Sequence, residues 1–177
     1  MDLSAAICSG LPDLAQFALT ATLFLFCLTV IYGAIADVTT YTIPNWTSYG
    51  LALLFAVYAL FAWDRTPVLL HVLLGLLVFT ICIVFWKLRW LGGGDVKFVG
   101  AIALWMGPTM ILSFTLLLAL LSTGFVLILQ FARKWNPYFQ GSKWPWVVRN
   151  MVQKAKDDAV PYGLPAAMSA LIILFLT

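Results

Sequence analysis

The chain contains no glutamate, and its acidic side chains are seven aspartates. Charged residues make up only 10% of its 177 positions, where a soluble domain carries roughly 25%. Three cysteines, Cys8, Cys27 and Cys82, stand far apart, and no Cys-x-x-Cys occurs. That excludes a zinc module and a disulfide framework, and the thiols read as small buried apolar groups. The single histidine, His71, has no second ligand near it, so no metal and no cofactor are expected. No basic residue precedes the first apolar run. A cleavable signal peptide needs one, so that run is read as a retained helix.

What the chain has instead is apolar length. Hydrophobic residues reach 63%, and mean hydropathy is +1.01. A crossing helix needs about 20 mostly apolar residues. Runs of that kind lie near 14–36, 46–63, 68–86, 110–132 and 159–176, with a shorter one at 96–106. The predicted fold is therefore an all-α polytopic membrane protein, one domain over 1–177.

Charge decides whether the short run counts. Lys and Arg collect on the cytoplasmic side of a bilayer. Nine of the ten basic residues fall in the segments 87–97 and 133–158. Those segments share a side only if 96–132 crosses twice, turning at Gly107-Pro108, a turn-forming pair. This predicts about six transmembrane helices, both termini outside, and the basic loops in the cytoplasm. The 133–158 loop mixes Trp135, Trp144 and Trp146 with bases. Rings and cations together suit a lipid headgroup interface, and a surface helix over 146–156 is expected there. The bases are too few and too closely tied to membrane for a nucleic-acid partner.

Two aspartates stand apart from the rest. Asp95 sits in Leu91-Gly92-Gly93-Gly94-Asp95-Val96-Lys97, between two apolar runs. The glycines are expected to supply φ > 0 and close approach of another chain. Asp37 follows the first apolar run. Two crossings separate the two residues, and an even number returns the chain to the face it left. Both carboxylates are thus predicted on the cytoplasmic face. A charged side chain at membrane depth costs about 2.5–3.5 kcal/mol and usually marks function.

Paired carboxylates suit hydrolysis by an activated water. Like charges push their pKa values apart, so one group is ionised as base and the other protonated as acid. The plainer alternative has Asp37 ending one helix and Asp95 capping another. Lys97 is expected either to hold a carboxylate's charge or to reach out to water. The segment 37–45, with Pro44 and Asn45, is expected to lie on the bilayer surface or to fold over the site. Tyr162 and Gly163 open the last helix on the same side and are expected to line it.

These residues resemble the type IV prepilin peptidases, membrane aspartic peptidases with a Gly-x-Gly-Asp motif. The resemblance rests on Asp37 with Ile43-Pro44-Asn45, on Gly92-Gly93-Gly94-Asp95-Val96-Lys97 running on to Leu104-Trp105-Met106-Gly107, and on Val160-Pro161-Tyr162-Gly163. It implies that Asp37 and Asp95 are catalytic, and that Gly92, Gly94, Lys97, Pro44, Asn45, Tyr162 and Gly163 shape the site. It implies a pilin-like precursor as substrate, cut at its short leader on the cytoplasmic face of the bacterial inner membrane. The length is most similar to the short CpaA/TadV-like form of tight-adherence (Flp) pilus systems. Paired cysteines of the longer, methylating members are lacking, so methyl transfer is not carried over. Two other readings stay open: a small proton-coupled transporter, and a non-catalytic assembly factor for a pilus or secretion machine.

Overall fold

The structure, a computed structural model, describes residues 3–63, 66–134 and 160–176. These form five helical segments and no strand among the described residues: α1 (Leu3–Thr40), α2 (Asn45–Phe61), α3 (Val68–Lys87), α4 (Gly93–Lys134) and α5 (Gly163–Leu176). The stretches Ala15–Thr40, Val68–Lys87 and Gly93–Phe131 are long and apolar enough to cross a membrane; α2 and α5 are shorter apolar helices. The expectations for segment 135–158, including the surface helix over 146–156, and for Asp64 and Arg65 lie outside the described residues.

Two helix bounds differ from those predicted. α1 continues through Thr40 rather than ending at residue 36, so Asp37 lies in its last turns. Polarity does not stop it, because Thr39 and Thr40 bond back to the Ile35 and Ala36 carbonyls at 2.7 Å each. A threonine satisfied in this way sits in an apolar helix without exposing an unpaired hydroxyl. α4 begins at Gly93, so Asp95 lies in its first turn rather than before it.

α4 is interrupted at Gly107, whose φ of 55° and ψ of −172° are non-helical. This is the position where the sequence predicted a turn. Val99, before the break, and Ile111, Thr115, Leu118 and Ser122, after it, line one cavity of about 560 Å³ with α3. Both halves of α4 therefore run alongside α3. The break also leaves a debt in hydrogen bonding. The Leu104 carbonyl would accept from the amide of residue 108, but Pro108 has none. His71 of α3 supplies the donor instead, with Nδ1 2.8 Å from the Leu104 oxygen. The partner is an acceptor, so Nδ1 must carry the proton. His71 is buried and stacked on Phe55 at 5.6 Å.

Helix packing uses small residues, as membrane helices do. A methyl at Gly75 would lie 2.6 Å from Leu104, one at Gly100 2.7 Å from Phe79, and one at Gly33 2.6 Å from the Phe98 ring. The first two pairs lock α3 to α4 reciprocally. The third seats α4 against α1. Trp105 ties these layers together, lying 4.7 Å from Phe26 and donating Nε1–H to the Leu51 carbonyl at 3.0 Å.

Candidate active site

The Gly33–Phe98 contact fixes where the two aspartates lie. Asp37 is one turn beyond Gly33 on α1, and Asp95 is one turn before Phe98 on α4. The contact therefore brings the carboxyl-bearing turns of the two helices toward each other. Both residues are buried, Asp37 at 3% exposure and Asp95 at 8%, and their charges lie within electrostatic reach.

Each carboxylate is held in the same manner. The Gly163 amide donates to Asp37 Oδ2 at 2.6 Å. The Gly92 amide donates to Asp95 Oδ2 at 3.1 Å. The second is a capping arrangement, in which an acidic side chain at the third helical position reaches back to the amide ahead of the helix. Asp95 thus acts on the helix end, though as this reaching partner rather than as the N-cap itself. In both residues Oδ1 has no hydrogen-bond donor among the described residues.

The glycines meet one of the two expectations for them and not the other. Neither Gly92, Gly93 nor Gly94 has positive φ; among the described glycines only Gly107 does. Their contribution is closeness. A methyl at Gly92 would lie 2.8 Å from Asp95 Oδ2, and one at Gly94 3.4 Å from the Ile43 oxygen. At Gly93 it would meet only the Trp86 indole nitrogen, at 3.6 Å, an ordinary contact. Of the three, Gly92 is the crowded one, and at Gly93 and Gly94 a methyl would make ordinary contacts.

The other predicted residues divide. Gly163 is central, as its amide shows, and a methyl there would lie 2.8 Å from Asp37 Oδ2. Tyr162 is half-buried, lies within electrostatic reach of Asp95, and lines the α3–α4 cavity with Trp90, Leu91 and Cys82. Pro44 is the N-cap residue of α2. Lys97 is exposed and donates to Asn45 Oδ1 at 2.9 Å. It ties α4 to the start of α2, and no ion pair joins it to either aspartate among the described residues. Among the described residues it thus holds neither aspartate's charge, and the expectation that it meets a substrate's carboxylate is untouched by this.

Two residues near the dyad were missed. Tyr41 turns the chain back over Asp37 with a φ of 58°, its amide bonded to the Asp37 carbonyl at 2.8 Å. Burial, and after it the charge of Asp37, push its phenol up to about 12, so the hydroxyl keeps its proton. Ile43 is buried between α4 and α5. A β-branched residue before proline signalled an extended segment, but nothing in the sequence placed it beside the carboxylates. A second, wholly apolar groove of about 450 Å³ flanks Asp37, between Ile31, Ala34, Ile35 and Val38 of α1 and Leu164 and Ala167 of α5.

No group of three or more metal-ligating side chains occurs among the described residues. The arrangement brings two buried carboxyl groups within electrostatic reach of each other. Comparison with known proteins found one match: a model of the type IV leader peptidase family covers residues 24–128. No curated protein and no solved structure matches.

Proposed function

Because the chain belongs to the type IV leader peptidase family, we propose that it is a membrane-embedded aspartic endopeptidase that removes the short leader of pilin-like precursors. The observation that carries this reading is the matched pair of buried carboxyls, each with one oxygen tied to a glycine amide and the other available. The first constraint fixes orientation, and the second leaves an oxygen for chemistry.

Water between the two attacks the scissile carbonyl carbon. The ionised carboxylate takes its proton, and the protonated carboxyl gives its own to the carbonyl oxygen. The tetrahedral diol then collapses. The carboxyl that gained a proton passes it to the leaving nitrogen, and the diol hydroxyl returns one to its partner. Proton transfer by positioned groups of this kind contributes about 10²–10⁴-fold in rate. Backbone amides suit such a site because they orient a carboxylate without adding a competing charge.

We place the site at the cytoplasmic face of the bacterial inner membrane, in a chain that crosses about six times. A precursor anchored by one apolar helix presents its leader at that depth, and the apolar grooves flanking the pair suit such a neighbour. The family description supports a leader peptidase; the two-aspartate mechanism and the pilin-like substrate are our inference.

The test reconstitutes the purified chain in liposomes with a pilin-like precursor carrying a short leader. Cleavage is expected in wild type and is lost, by at least about 10²-fold, in Asp37→Asn and in Asp95→Asn. Cleavage at the wild-type rate in either variant would overturn the pairing.

A further inference from the structure

Segment 41–44 is a strap between α1 and α2, and one of its residues touches both Gly163, whose amide holds the Asp37 carboxylate, and Gly94, the residue before Asp95. Ile43 is buried in the core cluster. Its backbone and Cβ lie against Gly94, the residue before Asp95: a methyl at Gly94 would meet the Ile43 oxygen, Cβ and nitrogen at 3.4, 3.5 and 3.6 Å. Its tip lies against Gly163, whose amide holds Asp37. A methyl at Gly163 would meet Ile43 Cδ1 at 2.9 Å and Asp37 Oδ2 at 2.8 Å. Cδ1 and the carboxylate oxygen thus crowd one face of the same glycine.

The strap is itself fixed at its far end. Pro44 restricts Ile43 to extended backbone. The Pro44 carbonyl accepts from both the amide and the hydroxyl of Thr47, at 3.1 and 2.7 Å. Lys97, two residues past Asp95, bonds the adjacent Asn45 at 2.9 Å. The strap therefore keeps register with α4, and Ile43 reaches from it to α5. A continuous path runs from Asp95 through Gly94, Ile43 and Gly163 to Asp37.

We propose that Ile43 is a positioning residue: its side chain is a wedge that sets the spacing and orientation of the Asp37 and Asp95 carboxyls. The inference rests on the two-aspartate reading. Glycine at 163 is then needed to admit the wedge, in addition to any room given to substrate. The atom that matters is Cδ1, the one that reaches Gly163. Ile43→Val removes that atom alone and keeps the β-branch that holds the strap extended.

In the liposome assay with a pilin-like precursor, Ile43→Val is expected to lower kcat about tenfold with KM within about twofold, and Ile43→Ala to lower it further. Interaction between two carboxyls separates their titrations, and the two limbs of a pH–rate profile report that separation. With the wedge shortened the coupling weakens, and the limbs move toward each other. Among the described residues, the other ionisable side chains near the pair, Tyr41, Cys82, Lys97 and Tyr162, are phenols, a thiol and an amine that ordinarily titrate above carboxyls, so the limbs are assigned to the aspartates. Ile102→Val, an equal deletion two turns along α4 in the same core, is expected to leave the profile unchanged.

Infrared titration of the carboxyls in the purified chain reads the same separation with no substrate. A merely structural role for Ile43 lowers the yield of folded protein and leaves kcat per folded molecule and both limbs in place; that result would overturn the proposal. Loss of cleavage in both Asp→Asn variants together with a wild-type profile in Ile43→Val sinks the wedge and spares the dyad. Wild-type cleavage in an Asp→Asn variant sinks both.

Discussion

Three consecutive glycines carry three unequal burdens. The middle one, Gly93, has room for a methyl and stands in the first turn of a helix. Alanine there removes backbone entropy from the unfolded chain without a clash, which stabilises by roughly 0.5–1 kcal/mol. Gly93→Ala is therefore expected to keep full activity and to unfold at a slightly higher temperature in detergent. Gly92→Ala drives a methyl onto Asp95 Oδ2, 2.8 Å away, and is expected to lose activity by tenfold or more with little change in unfolding temperature. Equal activities in the two variants would remove the basis of this assignment. That Asp37 and Asp95 lie near each other was legible from the sequence, since a carboxylate beside an apolar run is rare enough to be weighed individually and two crossings return the chain to one face. The glycines were legible as a feature, and of the two properties expected of them close approach holds and positive φ does not, because a glycine run encodes both conformational freedom and close approach. Only the backbone angles distinguish them. Ile43 was legible as part of a segment that could fold over the site, but its contact with Gly94 and Gly163 was not, since a buried isoleucine looks alike wherever it lies.

The helices were legible as apolar runs, and their ends were not. α1 outlasts its apolar run because its threonines cap their own hydroxyls on the helix backbone. The break in α4 was legible because glycine before proline marks a turn. What repairs the break was hidden, because His71 lies 33 residues from the carbonyl it serves. A lone histidine on an apolar helix gave no sign of its partner until Pro108 was seen to leave Leu104 without a donor. Removing a donor from a buried carbonyl costs about 1–3 kcal/mol. His71→Leu is expected to lower the unfolding free energy in detergent by that amount, whereas His71→Asn, which keeps a short side-chain donor, recovers part of it. A His71→Leu protein as stable as wild type would mean that the carbonyl finds another donor.

At the scale of the whole molecule, the all-helical architecture follows from composition and periodicity, and family membership agrees with it. The orientation in the bilayer rests on counting crossings and basic residues. It is tested with single cysteines in a background lacking Cys8, Cys27 and Cys82. Cysteines at Thr42 and Leu91 are expected to react with an impermeant thiol reagent from one side of sealed vesicles. Cysteines at Trp63 and Thr109 react from the other. Labelling of Thr42 and Leu91 from opposite sides would contradict a shared face for the two aspartates.

The amide that orients Asp37 comes from Gly163, 126 residues later in the chain. At roughly 5–20 residues per second, ribosomes need roughly 6–25 s to travel between them. Throughout that interval Asp37 lacks its backbone donor, and from residue 95 onward the growing polypeptide carries both acids. On the two-aspartate reading, cleavage is therefore expected only from chains extended past residue 163, and a chain stalled before it is expected to be inert rather than half-restrained.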